Sequence, residues 1–324
     1  MLVKQLFLLQ ALGIIAVVNS LNSKPPPYGQ LSVSGTKLVG ANGQPVQLIG
    51  NSLGWHQWWP QYWTAATVKA LKCKWNANVV RAAMGVDQGG YISDPNTAYR
   101  LVTTVIEAAI SEGIYVIVDW HAHEAHANEA AAFFTRIAKS YAQYPHILYE
   151  TFNEPLSVSW NNVLVPYHKK VVGAIRAVDK KNVIILGTPT YSQNVDEAAQ
   201  NPIREFKNLM YTLHYYASSH FVHDIGTKLR TANSKGLPVF VTEFGVCEAS
   251  GNGRIDTNSA NQWWGLLDSL KISYVNWDIA DKDESCAALK PGTPGGSVGD
   301  SSRWTTSANL VVNYHKKKQT GVRC

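Results

Sequence analysis

The stretch ILYETFNEP, residues 147–155, is an apolar run that leads to an acidic residue, Glu154. A second run of the same kind, VFVTEFG at residues 239–245, carries Glu243 near its end. Runs of this length, bounded by loop residues, are typical of buried strands in a parallel sheet. When such strands close into a barrel, their carboxyl ends meet at one rim. Two carboxyl groups at one rim could flank a single bond, which is the arrangement that glycoside hydrolysis requires.

Outward from these two runs, short apolar segments alternate with helical patterns, which is typical of repeated βα units. The helical segments each carry one apolar face, as in 101–109 and 171–178. A small hairpin is predicted over residues 31–39. We therefore predict an α/β fold, a (β/α)8 TIM barrel with a short N-terminal β-hairpin. Its eight strands are predicted to end near Asn51, Arg81, Trp120, Asn153, Gly187, Tyr216, Glu243 and Asp278.

The first twenty residues predict a secretory signal peptide. Lys4 precedes an apolar stretch from Leu6 to Val18, and a small residue, Ser20, stands at the expected cleavage site. The apolar stretch is shorter than the roughly 20 residues that a membrane-spanning helix needs. We predict a signal peptide over residues 1–20 and a secreted, extracellular protein. Residues 21–324 are predicted to form a single catalytic domain without a carbohydrate-binding module, because the sequence has no repeat or long linker.

The net charge bears on the possible partners, and the cysteine content bears on disulfide bonds. The net charge is +6, and the segment Lys316–Lys318 could attract an acidic surface, although a solvated helix face is the favoured interpretation. We therefore expect no nucleic-acid or membrane partner, and a monomer. Four cysteines in an exported chain indicate two disulfides, and the sequence alone leaves three connectivities open.

Asn-Glu-Pro around Glu154 and Thr-Glu-Phe-Gly around Glu243 resemble the signatures of glycoside hydrolase family 5. Further segments, in matching order, resemble strand ends of endoglucanases in its subfamily 2: residues 47–52, 78–81, 116–121, 187–193, 213–217, and 275–277 with 288–292. The resemblance implies an endo-β-1,4-glucanase, or cellulase. Such an enzyme would hydrolyse internal bonds of a β-glucan polysaccharide with a retaining double displacement and no cofactor. A mannanase or xyloglucanase, or a non-catalytic sugar-binding barrel, remains an alternative.

The resemblance also implies roles for individual residues. Glu154 corresponds to the general acid/base and Glu243 to the nucleophile. The acid must hold a proton while the nucleophile is ionised, so we expect their surroundings to push the two pKa values apart in that sense. Residues that correspond to support for the nucleophile or the transition state are Arg81, Asn153, His214 and Tyr216. Residues that correspond to sugar contacts are His121, Trp277, Trp58, Trp55, Tyr191, Lys282 and Glu284.

Two features need separate interpretation. Many relatives carry a histidine after the first strand, where this chain has Gly54, so His56 or Trp55 could substitute for that sugar contact. The places of the cysteines in the proposed barrel favour Cys247 with Cys286 and Cys73 with Cys324.

The pattern His-x-His-x-x-His at His121, His123 and His126 invites a zinc interpretation. No suitably placed Cys, His or Asp completes such a site, so we predict no metal. His123 and His126 are interpreted as loop residues.

Overall fold

The structure, a computed structural model, describes residues 21–324. The signal peptide predicted over residues 1–20 lies outside the described residues. Within residues 21–324, no helix is both long enough and apolar enough to cross a membrane.

The chain begins its regular structure with the predicted hairpin. Strands β1 (Ser32–Ser34) and β2 (Lys37–Val39) pair antiparallel, and Gly35 in the turn between them has the positive φ of +57° that such short turns need. Leu31 and Leu38 are buried against Val79 and Leu148 of the barrel. The hairpin therefore closes the amino-terminal end of the barrel with apolar side chains.

Eight parallel strands follow and close into a barrel, because the last strand pairs with the first. This confirms the predicted (β/α)8 TIM barrel. Every residue of these strands is buried, as expected for a sheet that is covered on both faces. The strands are β3 (Ile49–Leu53), β4 (Val79–Gly85), β5 (Tyr115–His121), β6 (Ile147–Glu150), β7 (Ile184–Leu186), β8 (Leu209–Tyr216), β9 (Val239–Gly245) and β10 (Tyr274–Ile279).

One predicted strand end differs from the structure in a way that matters for the site. Strand β6 ends at Glu150, three residues before Asn153. The backbone N–H groups of Asn153 and Glu154 still donate to the carbonyls of Trp120 and Ala122, at 3.0 and 3.2 Å. The segment therefore stays beside β5 after it has left β7, and this places Glu154 above the barrel rim.

Helices cover the outside of the barrel with the predicted apolar faces. In α2 (Pro95–Glu112), residues 101, 102, 105, 106 and 109 are all buried. In α4 (Val165–Val178), residues 171, 172 and 175 are buried. The helices are α1 (Ala65–Trp75), α2 (Pro95–Glu112), α3 (Ala127–Tyr141), α4 (Val165–Val178), α5 (Pro189–Ser192), α6 (Val195–Ala198), α7 (Ile225–Ser234), α8 (Thr257–Ser269) and α9 (Thr306–His315).

Two disulfides fasten distant parts of the chain. Cys73 in α1 is joined to Cys324, with a separation of 251 residues in sequence, and Cys247 after β9 is joined to Cys286 after β10. A disulfide restricts the unfolded chain, and the typical stabilisation is about 2–4 kcal/mol. The second disulfide also packs beside Tyr216 and Trp277, so it supports the carboxyl end of the barrel.

Candidate active site

Glu243 lies at the carboxyl end of β9 and is held by two donors. Arg81 Nη1 donates to its Oε2 at 2.9 Å, and the Tyr216 hydroxyl donates to its Oε1 at 2.8 Å. Its exposed fraction is only 4%. Because both oxygens accept from groups on other strands, the carboxylate is fixed in one orientation at the barrel rim.

Arg81 also contacts two buried acids, Glu150 and Asp119, in addition to Glu243. Its guanidinium contacts Glu150 at 2.7 Å, Asp119 at 2.9 Å, and the Asn153 Oδ1 at 2.7 Å. Glu150 and Asp119 were missed as site residues, although each is an acid within an apolar strand run, which is a signal of a paired or functional group. Since Asn153 Oδ1 accepts from Arg81, its amide nitrogen remains as a donor.

Glu154 is contacted by two histidines. His214 Nδ1 lies 2.9 Å from one carboxyl oxygen, and His123 Nε2 lies 3.2 Å from the other. Thr242 orients His214 from behind, with its Oγ1 at 2.9 Å from His214 Nε2 and at 2.6 Å from Glu150 Oε1. His123 lies in the loop after β5, as interpreted, and it also contacts Glu154, a role that was not assigned to it. The loop after β5 carries its ring to Glu154, and sequence spacing cannot reveal such a contact.

The pKa values of the two glutamates are shifted in the opposite sense to the expectation. Burial raises the pKa of Glu154, but hydrogen bonds from His123 and His214 outweigh it and lower the pKa to about 2. Burial raises the pKa of Glu243, and the charge of Glu154 adds to this, while His214 and Arg81 oppose it.

His214 shows the complementary shift. Burial lowers its pKa, but the carboxylates of Glu243, Glu150 and Glu154 raise it to about 9. The proton of this cluster therefore resides on His214 rather than on Glu154. The two residues form an ion pair across 2.9 Å.

Aromatic rings extend in a row along the rim. Trp58 stacks on Trp55 with ring centroids 4.6 Å apart, Trp55 lies 6.2 Å from His123, and His123 lies 6.4 Å from Tyr191. Trp58 and Tyr191 at the two ends of the row are each 45% exposed. The row passes Glu154, which His123 contacts. Flat sugar rings stack on surfaces of this kind.

His121 and Trp277 lie on the floor beside this row. Their rings are parallel, with centroids 5.1 Å apart, and Trp55 meets the His121 ring edge-on at 4.6 Å. His121 Nδ1 lies 2.7 Å from Asp119 Oδ2. Burial and the nearby Arg81 charge lower the pKa of His121 well below its usual range, so the ring is neutral and Nε2 is free to accept.

A cavity of about 260 Å³ opens beside Glu154. It is lined by Glu154, Tyr191, Gln193, His214, Tyr216, His220 and Ala249, of which Gln193, His220 and Ala249 had no predicted role. Tyr191 is the middle one of three consecutive residues with positive φ, Thr190 to Ser192. Its backbone N–H donates to the Pro155 carbonyl at 2.8 Å. Such backbone strain is commonly found at functional sites.

The remaining predicted sugar contacts are Lys282, Glu284, and His56 or Trp55. Lys282 and Glu284 pair with each other at 2.5 Å on the loop after β10. His56 does not substitute for the missing histidine, because its ring is buried edge-on against Trp63, 5.8 Å away. Burial lowers the pKa of His56 to about 4, so it is neutral. Trp55 does reach the cleft, through its stack with Trp58.

The histidine triplet divides between two environments. His121 and His123 face the site, whereas His126 bonds to Asp87 at 2.9 Å. Within the described chain, Glu154, His214 and Glu243 are the group of acids and histidines close enough to hold a metal, with ligand atoms within 4.8 Å of one another. Arg81 Nη1 contacts Glu243 at 2.9 Å, and His214 Nδ1 contacts Glu154 at 2.9 Å.

Two curated proteins of similar sequence are endoglucanases. The chain is 40% identical over 301 residues to an endoglucanase of Clostridium saccharobutylicum. This alignment covers 90% of this chain and 65% of the relative. The chain is 43% identical over 267 residues to Endoglucanase Z of Dickeya dadantii, which covers 81% of this chain and 62% of the relative. The chain thus spans somewhat less than two thirds of the length of these curated relatives.

Solved structures give the same result at the level of the catalytic domain. The catalytic domain of a Thermobifida fusca endoglucanase has a TM-score of 0.85 at 34% identity, covering 90% of this chain and 99% of that domain. A variant of that domain, at 33% identity, TM-score 0.85 and the same coverage, was solved in complex with cellotetraose. The family model described as cellulase, glycosyl hydrolase family 5, matches residues 39–283. The chain therefore belongs to glycosyl hydrolase family 5.

Proposed function

We propose that this protein is an endo-β-1,4-glucanase that cleaves internal bonds of cellulose-type glucans with net retention. Glu243 is the proposed nucleophile and Glu154 the proposed general acid/base. The observation that carries the proposal is the pairing of these carboxyls at one rim with different partners. Glu243 accepts only from fixed donors, and Glu154 is paired with proton-carrying histidines.

The spacing of the two carboxyls supports retention over inversion. One carboxyl oxygen of Glu154 lies within 4.8 Å of one carboxyl oxygen of Glu243. Retaining enzymes hold their carboxyl groups about 5–5.5 Å apart, whereas inverting enzymes need about 6.5–9.5 Å to admit a water. In the first step, Glu243 would therefore attack the anomeric carbon directly, and the leaving oxygen would take a proton from Glu154.

The proton for that step is stored in the cluster of Glu154, His214 and His123. The proton resides on His214. Its transfer across the 2.9 Å contact from His214 Nδ1 to Glu154 Oε1 gives neutral His214 and protonated Glu154, with no change in total charge. Groups that are coupled this closely titrate as a unit. Catalytic competence would therefore depend on whether the cluster retains its proton, and not on the pKa of Glu154 alone.

In the second step the cluster works in the opposite direction. Glu154, now ionised, would accept a proton from water as the water oxygen attacks the anomeric carbon and the bond from that carbon to Glu243 breaks. The free amide nitrogen of Asn153 would donate to the sugar 2-hydroxyl, a contact that strengthens in the transition state. Arg81 and Tyr216 would hold the released Glu243 carboxylate in place for the next turnover.

The shape of the rim supports a polymeric substrate. The aromatic row from Trp58 to Tyr191 extends on both sides of the contact between His123 and Glu154. The two outer rings are exposed, as an open cleft for an internal stretch of chain requires. Cellotetraose bound to the Thermobifida fusca relative gives the substrate class by analogy. Lys282 and Glu284 are proposed as outer sugar contacts.

The rival interpretations make different predictions. A mannanase or xyloglucanase would use the same two glutamates and differ in its loops. A non-catalytic sugar-binding barrel would have no need of buried Arg81, Tyr216 and His214 around both carboxyls, because burying such charges is costly.

An assay on a panel of polymers tests the proposal. We expect carboxymethyl-cellulose and mixed-linkage glucan to lose viscosity faster than reducing ends appear, and a chelator to leave the rate unchanged. Glu243→Gln serves as the inactive control. Mannan or xyloglucan cleaved at least tenfold faster than these glucans would contradict the substrate assignment, and binding without turnover would contradict catalysis.

Export from the cell is also proposed, together with a monomeric state. The charged and apolar pattern of residues 1–20 supports export, and so do two disulfides, which persist in oxidising compartments. Sedimentation of the secreted protein would test the monomer.

A further inference from the structure

Asp278, at the carboxyl end of β10, is a buried acid that neither the fold nor the proposed mechanism uses. It is 2% exposed, and its Oδ1 is buried without a hydrogen-bond partner among residues 21–324. Unpaired buried carboxyl groups are rare, because burial removes their hydration without replacing it. Folding therefore gives no reason for this side chain to be an acid.

The second oxygen of Asp278 packs against Gly54, in the place that a side chain at position 54 would need. A Cβ atom at Gly54 would lie 2.7 Å from Asp278 Oδ2 and 3.0 Å from the Trp59 ring. Gly54 follows β3, which pairs with β10 through Leu53 and Ile279. Any side chain at position 54 would therefore displace the carboxyl group.

This position lies beside the same cleft as the two glutamates. Asp278 follows Trp277, whose ring lies parallel to His121 on the cleft floor. The Trp59 ring next to Gly54 meets Trp58 edge-on, with centroids 5.8 Å apart, and packs against the cluster that contains Tyr216 and Trp277. Tyr216 in turn donates to Glu243. A sugar that lies against Trp277 would thus come within reach of Asp278.

We propose that Asp278 is a specificity-determining residue, whose carboxyl group binds a hydroxyl of the glucan chain at the edge of the cleft. The inference rests on the proposed function and assigns a further sugar contact to the same cleft. It also accounts for Gly54, because a larger residue there would displace the carboxyl group.

The electrostatic surroundings indicate the form in which Asp278 binds. Burial raises the pKa of Asp278 well above its usual range, Glu284 and Glu243 add to this, and Lys282 opposes it. Burial thus favours the neutral form of the carboxyl group, which can donate one hydrogen bond and accept another. A sugar hydroxyl, which both donates and accepts, matches this pair of functions.

The test compares five variants on cellotetraose, with kcat/KM and the melting temperature both measured. Asp278→Ala is expected to lower kcat/KM about 10- to 100-fold, as loss of one buried hydrogen bond to substrate does. Its melting temperature should stay the same or rise, since no protein contact is lost. Asp278→Asn keeps a donor and an acceptor, and should stay within about threefold of the wild type. Asp283→Ala, an exposed acid on the same loop, is the matched control.

Gly54→Ala supplies an independent arm. Its methyl group should displace the Asp278 carboxyl and lower kcat/KM to a similar degree, and the double variant Gly54→Ala/Asp278→Ala should be little worse than either single variant. Asp278→Ala with unchanged kcat/KM, or with a lowered melting temperature as its main effect, would overturn the proposal, as would Asp278→Asn falling as far as Asp278→Ala. Wild-type protein that leaves cellotetraose uncut would instead overturn the proposed function, and this inference with it.

Discussion

The two ends of the barrel bury very different side chains. At the amino-terminal end, Leu48, Tyr115 and Leu148 pack beneath the hairpin in an apolar cluster. At the carboxyl end, Arg81, Glu150 and other charged groups are equally buried but lie within hydrogen bonds of one another. Apolar burial stabilises a fold, whereas a buried ion network contributes little or nothing to stability. The comparison indicates that one end of the barrel maintains the fold and the other performs chemistry, as in barrel enzymes generally.

A matched pair of substitutions tests this division most strongly. Glu243→Gln keeps the volume of the side chain but removes the nucleophile, so kcat/KM on soluble cellulose should fall by about 10⁴-fold or more. Leu148→Ala at the other end should lower the free energy of unfolding by about 2–5 kcal/mol, because it leaves a cavity. Its kcat/KM should stay within about twofold at temperatures where it is folded. Urea unfolding and initial rates measure both, and an inactive but folded Leu148→Ala protein would contradict the division.

The charged end should also make stability depend on pH. The pKa of His214 is raised from about 6.5 to about 9, so its stabilising contribution is fully present below pH 6.5 and lost as the pH rises through 9. A shift of this size corresponds to about 3 kcal/mol. We expect the free energy of unfolding to fall by that order between pH 6.5 and pH 10, and His214→Asn to flatten the profile. An unchanged slope in His214→Asn would show that another group is responsible.

Within the charged end, the two loop histidines should behave differently. His123→Asn removes a hydrogen bond to Glu154 and should lower kcat/KM about tenfold. Its high-pH limb should move to higher pH, because the hydrogen bond from His123 lowers the pKa of Glu154. His126→Asn, whose partner is Asp87, should leave both unchanged. Rates measured across pH 5–10 distinguish a contact to the acid from a general loss of loop order, because disorder would lower the rate without moving the limb.

The fold was predictable because its signals are local. Each strand is an apolar run and each long helix carries one apolar face, so the number and order of elements could be predicted without knowing any contact. The end of β6 could not, because Asn153 and Glu154 stay beside β5 through two backbone hydrogen bonds that the run of residues does not reveal.

The site was predictable only as far as the resemblance extends. Glu154 and Glu243 were found from their positions in strand-like runs, but the sense of their pKa shifts was not. Those shifts arise from contacts between different strands and loops, such as His214 with Glu154, which no spacing in the sequence encodes. Glu150 and Asp119 were visible as acids in apolar runs, and their common partner Arg81 became apparent only in the folded barrel.

The assignment of roles to the two glutamates is tested most directly by azide rescue with an activated aryl cellobioside. In Glu154→Ala the leaving group needs no proton, so Glu243 should still form the glycosyl-enzyme, and azide should displace it to give a β-glycosyl azide. In Glu243→Ala azide should attack from the vacated side and give an α-glycosyl azide. General acid catalysis contributes typically about 10²–10⁴-fold, so the first variant should lose far less on the activated substrate than on cellulose. The reverse pair of anomers would exchange the two roles, and an inverted first product from the wild-type enzyme would contradict the retaining mechanism.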